Sequence, residues 1–462
     1  MRKTHLFLSC LIACMAMPLT AKMPKLTVVI LADGLDVYSV ERMRNDWSEG
    51  GLYTMVEHGA AGRCSYPFAV YGGNETTASI FTGVQPAEHG YSMDYVYHAS
   101  DRLPHMTLED KRAAGIGTTL KLSPRAIQCP TLTDLMRLQY GEFCQVYAIG
   151  LKPATTIIMA GHGANGCCWI DPQRHLWVTS SYYTKGLPSA ADEMNTEGTI
   201  QQTINANKTR TLNANIANEQ VIQLALRLQE SARLGEDLVP DMLLLELTTL
   251  PTSVKSDRIE SIEHEDTYNR LNEQMGKLIT TLQQKLGTAN VDFIVIGRPV
   301  YGIGIAPLQR IGLDPSQFDC DRMAALTNTY LMALHGNERW IEGVYGQSLY
   351  LNRTLINRKH LSLQEMQREV AEFITEFEGI QSAYTAAEVS KSPLASSLGK
   401  RHIGDVVFTL EAGWQLMERD KEPLDLVIES NPVSPVYIYS LHHQYLPEQL
   451  EATALLKYLC HF

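Results

Sequence analysis

Two strand-like segments of the chain end in side chains that could do chemistry. Residues 25–32 are mostly apolar and lead into Asp33, and residues 291–297 lead into Arg298. A carboxylate at such a position can bind a cation, whereas an arginine stays charged at every physiological pH and repels one. Arg298 therefore predicts an ion pair with an acid or the binding of an anion, and it argues against a metal ion beside it.

Runs of aliphatic and β-branched residues predict the elements that carry these groups. The segments 25–32, 241–247 and 291–296 are continuous apolar runs, typical of buried parallel strands. Between the last two, leucines and a methionine recur every three or four residues, as in a helix: Leu271, Met275, Leu278, Leu282 and Leu286. Strand, helix and strand imply a right-handed crossover, and ligands bind at the carboxyl ends of strands in such sheets.

Later segments predict two more helices and two strands. The helix over 321–334 is expected to bury a face that consists of Met323, Leu326, Tyr330 and Leu334. The helix over 363–377 is opened by Ser362, with Glu365 completing a capping box. The patterns of residues 404–411 and 435–439 predict strands. The Asn/Thr/Gln-rich segment 199–215 has weak periodicity and suggests part of an inserted subdomain.

Composition limits the kinds of partner. With 462 residues, of which 45% are hydrophobic and 19% charged, the chain can bury a large core as one α/β domain with insertions or as two domains. Its formal net charge is −12, and it has no cluster of Lys and Arg beyond pairs. Nucleic acid and anionic lipid are therefore not expected as bulk partners.

The first 21 residues predict a secretory leader. Arg2 and Lys3 precede an apolar stretch over 6–17, and Ala21 is a small residue suited to cleavage, so the mature chain would span 22–462. Residues 11–14 also fit a lipoprotein cleavage box, which would leave a lipid on Cys14. We expect a periplasmic or otherwise secreted protein, free or lipid-anchored, without a membrane span in the mature chain.

Seven cysteines lie outside the leader: Cys64, Cys129, Cys144, Cys167, Cys168, Cys320 and Cys460. No pair has the spacing of a metal knuckle, and an odd number leaves at least one without an intramolecular partner. Buried thiols with at most one disulfide are the prediction.

Several further motifs carry a family resemblance. They are the strand that ends in Asp33, residues 78–83 (Ala-Ser-Ile-Phe-Thr-Gly) with Pro86 and His89-Gly90, and the segments 122–125, 151–152, 160–162, 169–171 and 265–268. In this order they resemble the threonine-nucleophile branch of the alkaline phosphatase superfamily, which includes nucleotide pyrophosphatase/phosphodiesterases. The resemblance implies a three-layer α/β sandwich with a mostly parallel central sheet, helices on both faces, and inserted subdomains at about 91–235 and 300–400.

The resemblance also implies two zinc ions held by Asp and His side chains, one activating the nucleophile and one stabilising the leaving oxygen. Asp33 matches the first ligand position. The second ligand pair falls on Pro251 and Lys255, and the third on Gly297 and Arg298. We therefore expect no zinc or other cofactor.

The remaining site positions of the family also differ here. The last histidine ligand should precede the strand at 435–439, but His442 and His443 follow it. The nucleophile position falls on Gly73, and Thr76 and Thr77 are weak replacements that are expected to cap the helix instead. The lysine that contacts phosphate matches Lys152, whereas its arginine partner is Ala154 and the phosphate-binding asparagine falls near Asp94.

These positions favour a secreted pseudo-phosphatase with a binding or scaffolding role. Lys152, Lys255 and Arg298 could form a metal-free pocket for phosphate, sulfate or a phosphorylated glycan or lipid. The competing interpretation is that Arg298 pairs with Asp33 and fills an abandoned site.

Two alternatives stay open. One is an active zinc-dependent phosphomonoesterase or phosphodiesterase that takes new ligands from the set Asp33, Glu75, Asp94, His89, His162 and His264. The other is an envelope protein whose tyrosine-rich and Asn/Thr-rich loops contact an unknown partner, with the site irrelevant.

Overall fold

The structure of the protein, a computed structural model, describes residues 23–68, 73–98, 101–171, 173–209, 212–250, 257–298, 316–399, 403–411, 414–417, 433–442 and 445–460. In these ranges no helix is both long and apolar enough to cross a membrane.

A ten-stranded sheet forms the centre of the fold, in the order β18-β2-β17-β10-β1-β9-β6-β7-β8-β5. The strands are β1 (Leu26–Asp33), β2 (Ala60–Ser65), β3 (Tyr95–His98), β4 (Leu103–Met106), β5 (Gly115–Ile116), β6 (Val146–Gly150), β7 (Gly166–Asp171), β8 (Leu176–Ser180), β9 (Asp241–Thr248), β10 (Val291–Arg298), β11 (Ser316–Asp319), β12 (Ile341–Tyr345), β13 (Ser348–Leu351), β14 (Ile380–Thr385), β15 (Val406–Leu410), β16 (Trp414–Met417), β17 (Val433–Tyr439) and β18 (Gln449–Glu451). The five middle strands, β10 to β7, run parallel, and β17 joins β10 antiparallel.

Helices cover both faces of this sheet. They are α1 (Val37–Met43), α2 (Gly51–His58), α3 (Asn74–Thr82), α4 (Pro86–His89), α5 (Leu132–Tyr140), α6 (Pro153–Ala160), α7 (Ser189–Glu197), α8 (Thr199–Ala206), α9 (Ala214–Ser231), α10 (Asp257–Leu286), α11 (Cys320–His335), α12 (Arg353–Arg358), α13 (Leu363–Ile374) and α14 (Leu456–Leu459). Side chains of β1 alternate between two cores, since Val28 and Ile30 pack with α2, α9 and α10, whereas Val29 and Leu31 pack with α3, α5 and α6. The predicted three-layer α/β class is confirmed.

The segment predicted as an insertion at about 91–235 contributes to the central layers. Its strands β6, β7 and β8 belong to the ten-stranded sheet, and α9 packs on it. Within the weakly periodic stretch 199–215, Ile200 and Ile204 of α8 are buried in the same core. The boundaries of the insertions stay a prediction.

Residues 316–417 build a smaller layer with its own core. Four antiparallel strands, in the order β12-β13-β15-β14, pack against α11 and α13. The predicted buried face of α11 is confirmed in part: Met323 is buried and Tyr330 is partly buried against the core, but Leu326 and Leu334 are exposed, and Thr327 and Leu331 are buried instead. Thr327 can lie inside because its hydroxyl donates to the carbonyl of Met323.

All seven cysteines outside the leader are free thiols. Six are buried and Cys129 is half-buried, in agreement with the prediction of buried thiols. Burial raises the pKa of Cys64, Cys144 and Cys168 to about 12, so these thiols stay protonated.

Candidate functional site

Asp33 and Arg298 meet at the carboxyl edge of the central sheet. They are the last residues of β1 and β10 and lie directly opposite each other in the parallel register. Arg298 Nε donates a hydrogen bond to Asp33 Oδ1 at 2.7 Å, and the two residues are 3% and 5% exposed. The sequence analysis singled out these two strand ends, and in the structure they form a buried ion pair.

Lys152 engages the second oxygen of the same carboxylate. It is the residue before α6, and its Nζ donates to Asp33 Oδ2 at 2.6 Å, although its side chain is 55% exposed. Burial alone would raise the pKa of Asp33, but the charges of Arg298 and Lys152 and their hydrogen bonds outweigh burial and hold that pKa well below its usual range. Asp33 is therefore an ionised group with both oxygens in use.

The guanidinium of Arg298 also binds the start of α3. Its Nη1 donates to Asn74 Oδ1 at 2.9 Å and lies 3.3 Å from the hydroxyl oxygens of Thr77 and Thr155. Asn74 in turn donates through Nδ2 to both carboxyl oxygens of Asp94 at 2.9 Å. One buried arginine thus ties β1, β10, α3 and α6 together.

Glu246 is a site residue that sequence reasoning missed. It is 1% exposed on β9, and its Oε2 accepts from the backbone N–H groups of Leu151 and Lys152 at 2.8 and 2.9 Å. Its Oε1 lies 3.8 Å from Arg298 Nη2. A glutamate inside an otherwise apolar strand was the available signal, because a buried carboxylate requires partners.

The nucleophile position of the resemblance is a glycine in a left-handed conformation. Gly73 has φ of 90° and precedes α3 without a side chain to cap it. The expectation that Thr76 and Thr77 cap the helix is wrong, because both lie inside its first turns and are fully buried. Thr76 instead donates its hydroxyl back to the carbonyl of Gly73, and Thr77 accepts from Arg298.

The histidines offered as replacement ligands have structural partners. His89 is buried, shares a hydrogen bond with Ser79 and accepts the backbone N–H of Tyr91. Burial lowers the pKa of His89 to about 3. His162 bonds Asp134 through Nδ1 at 2.8 Å and the carbonyl of Ile127 through Nε2 at 3.2 Å.

Other predicted positions lie away from the site or outside the described residues. His442 bonds the carbonyl of Ala289, before the first residue of β10 and therefore at the opposite edge from Arg298. Pro251, Lys255 and His443, and the side chain of His264, lie outside the described residues.

The described residues do not fit a zinc pair. They contain no group of three or more His, Cys, Asp or Glu side chains that could hold a metal ion. A side chain at Gly297 would also meet packed atoms, since its Cβ would lie 2.3 Å from the carbonyl oxygen of Leu35 and 2.7 Å from Pro435. The position that would carry a ligand is thus closed by backbone, and its neighbour Arg298 is a fixed cation.

Comparison with known proteins gives the fold and its relatives. A family model described as type I phosphodiesterase / nucleotide pyrophosphatase matches residues 27–443. The alkaline phosphatase PafA of Elizabethkingia meningoseptica is 22% identical over 452 residues, which cover 86% of this chain and 82% of that protein. A protein of Myroides odoratus named a calcium-transporting ATPase is 23% identical over 451 residues, 85% of this chain and 81% of that protein.

Solved structures share the same architecture. The crystal structure of wild type PafA superposes with a TM-score of 0.82 at 20% identity and covers 95% of this chain and 96% of that one. A phosphonoacetate hydrolase from Sinorhizobium meliloti 1021, solved with phosphonoformate, gives a TM-score of 0.55 at 14% identity and covers 96% of both chains. At these identities the likeness concerns the fold.

Proposed function

Because the chain belongs to the type I phosphodiesterase / nucleotide pyrophosphatase family, within the alkaline phosphatase superfamily, we propose that it is a non-hydrolytic member that acts by binding. The observation that carries the proposal is the buried guanidinium of Arg298, bonded to Asp33 at the strand end where the family resemblance puts a metal ligand. Arg298 and Lys152 form ion pairs with the carboxylate of Asp33, which a metal ion would need as a ligand.

Electrostatics oppose a divalent ion at this position. A doubly charged ion about 4 Å from the guanidinium would meet a repulsion of ~8 kcal/mol at an effective dielectric constant of about 20. Asp33 would have to give up Arg298 and Lys152 in order to bind it. Releasing Arg298 from Asp33 would leave a buried guanidinium without that carboxylate, and removing one partner of a buried ion pair costs about 3–5 kcal/mol.

The described residues also offer no activated nucleophile. Gly73 has no side chain, and the hydroxyls of Thr76 and Thr77 are buried in contacts with Gly73 and Arg298. Covalent catalysis needs a nucleophile within reach of a base and of the substrate. Neither threonine meets that requirement in this arrangement.

For the binding role we infer that Lys152 is the contact for an anionic ligand. The side chain of Lys152 is about half-exposed, whereas Arg298 is enclosed, so Lys152 can turn from Asp33 to an entering phosphate or sulfate while Arg298 keeps Asp33 neutralised. The ligand class is a phosphorylated small molecule or glycan, with Lys255 as a further candidate contact. An envelope protein remains the alternative partner, and the proposed location is the periplasm or the cell exterior, free or anchored through Cys14.

The decisive experiment measures metal and turnover together. Mature protein from a host grown with zinc is analysed for bound zinc, and hydrolysis of p-nitrophenyl phosphate and bis(p-nitrophenyl) phosphate is followed, with PafA as the positive control. We expect far less than one zinc per chain, no turnover above the buffer rate, and no effect of EDTA on thermal unfolding. Stoichiometric zinc with turnover would overturn the proposal.

Anion binding is tested separately by isothermal titration of inorganic phosphate. Wild type is compared with Lys152→Ala and with Lys285→Ala, which removes an ion-paired lysine on α10. Binding that Lys152→Ala loses and Lys285→Ala keeps supports the anion site. If wild type shows no heat of binding, the proposal of an anion site is wrong, and binding to a protein partner remains as the proposed role.

A further inference from the structure

Three exposed apolar side chains lie in segments at the opposite, amino edge of the central sheet. β1, β9 and β6 are parallel neighbours, so their first residues lie side by side at the amino edge, away from Asp33 and Arg298. Phe143 and Leu238 each stand three residues before a strand of this group, β6 and β9 respectively. Leu138 lies in the helix α5 that leads into Phe143. We call Leu138, Phe143 and Leu238 the amino-edge patch.

These three residues are the most exposed large hydrophobic side chains among the described residues. Leu138 is 85% exposed, Phe143 is 77% exposed and Leu238 is 87% exposed. Single exposed leucines are common on soluble proteins, whereas these three side chains belong to segments that lead into neighbouring strands of one sheet.

Local contacts hold the patch segments together. The backbone N–H of Gln145 donates to Asp241 Oδ1 at 2.8 Å, and its side chain donates to the carbonyl of Ala232 at 3.1 Å. The segment that carries Phe143 is thereby fixed beside the segment that carries Leu238. Neighbouring strands are about 4.8 Å apart, so β1, β9 and β6 place their leading residues within roughly 10 Å of one another.

Charged side chains in the segments around the patch pair with each other. Arg233 lies 2.8 Å from Glu236, and Lys285 lies 2.9 Å from Glu230. These pairs carry no net charge, so they neither attract an anionic surface nor repel a zwitterionic one.

The chain itself indicates what covers the patch. Met23, the first described residue, stands three residues before β1, and Tyr140 donates its hydroxyl to Met23 Sδ at 3.5 Å beside the patch. The described part of the chain therefore begins at this edge, and in the sequence it is preceded by the apolar stretch over 6–17. If Cys14 carries the lipid that the cleavage box suggests, residues 15–22 span at most about 30 Å between bilayer and patch.

We propose that the amino-edge patch is a membrane-contacting surface that rests on zwitterionic lipid, with Leu138, Phe143 and Leu238 inserted among the headgroups. Apolar side chains at such a depth stabilise peripheral attachment, and two weak signals together give a lasting anchor. The site at Asp33 and Arg298, about 26 Å away along the eight-residue strand β1, then faces away from the membrane.

The test places a fluorescent reporter in the patch. The full chain is expressed with its own leader in a bacterial host, purified with the processing that the host gives it, and mixed with phosphatidylcholine vesicles that contain brominated acyl chains. Phe143→Trp and Leu238→Trp are compared with Leu334→Trp, whose position is 54% exposed on α11. We expect quenching of the two patch tryptophans to be several-fold stronger than quenching of the control.

Each other outcome overturns the proposal. Equal quenching at the patch and the control, or no association with vesicles, means that lipid does not cover this edge. A concentration-dependent dimer in sedimentation velocity, with a patch tryptophan shielded in the absence of vesicles, means that a second copy of the chain covers it instead.

Discussion

Replacing Arg298 with methionine is the sharpest test of the arrangement at the carboxyl edge. The substitution keeps much of the side-chain volume and removes the charge that faces Asp33 at 2.7 Å. Asp33 would remain 5% exposed, with Lys152 as its remaining charged partner, and Asn74 Oδ1 would lose the donor at 2.9 Å. A buried carboxylate with too few partners is the costly outcome.

The size of the effect follows from the burial of both groups. Breaking a buried ion pair by removing one partner costs about 3–5 kcal/mol of unfolding free energy. The half-exposed Lys152 offsets a part of this, so we expect Arg298→Met to lose about 3 kcal/mol. The matched control is Arg42→Met, since Arg42 pairs with Glu265 at 2.9 Å while both side chains are about half-exposed. There we expect a loss below about 1 kcal/mol.

A double-mutant cycle separates the pair from simple loss of packing. Urea unfolding is followed by circular dichroism for wild type, Arg298→Met, Asp33→Asn and the double variant, each with and without EDTA. Since Asp33→Asn removes the charge that Arg298 neutralises, the double variant should be more stable than the sum of the single losses by about 2 kcal/mol or more. Strict additivity of the two losses, or a strong EDTA effect on wild type, would refute the ion-pair reasoning.

Three further outcomes follow from the same structure. Because the pKa of Asp33 is lower in the folded chain than in the unfolded one, its stabilising contribution is present above about pH 4 and is lost as the pH falls below it, so the difference in stability between wild type and Asp33→Asn should shrink in acid urea titrations. Lys152→Met should cost far less than Arg298→Met in the same titrations, at about 1 kcal/mol or below, because the side chain of Lys152 is half-exposed. Gly51→Ala should reduce the yield of folded protein in size-exclusion chromatography, because its Cβ would lie 1.8 Å from the carbonyl oxygen of Asn272 and the residue has φ of 49°.

Much of the fold could be predicted because its central strands are buried on both faces. β1, β9 and β10 show as mostly apolar runs, since a parallel strand between two helix layers has no solvent side. β6 and β7 were hidden in a segment interpreted as an insertion, because strands of five or six residues carry too little pattern to separate from loops. The buried face of α11 was predicted correctly at Met323 but wrongly at Leu326, since apolarity alone cannot show that Thr327 satisfies its hydroxyl within the helix and lies inside in place of Leu326.

For the site, the sequence predicted the residues at the strand ends but not the side chains from other elements that contact them. Asp33 and Arg298 were found because both follow recognisable strands. Asn74 and Thr155 were not found, because each lies at the start of a helix. The packing of that helix against the strand ends depends on the tertiary structure and leaves no local sequence pattern. Glu246 could have been recognised as an acid within a buried strand. Its hydrogen-bond partners, however, are two backbone N–H groups, which cannot be identified from residue types.

The charges at the carboxyl edge are arranged around the guanidinium of Arg298. The described side chains at the carboxyl edge include the carboxylates of Asp33, Glu246 and Asp94 and the cations of Lys152 and Arg298. A dication would also balance carboxylates, but it would draw their oxygens toward one point. The planar guanidinium of Arg298 instead donates N–H groups to Asp33 and Asn74 and lies 3.8 Å from Glu246 Oε1, so it contacts three separate elements. Binding of a metal ion to Asp33 would require the hydrogen bond from Arg298 to break, so this buried ion pair opposes a metal ion at the edge.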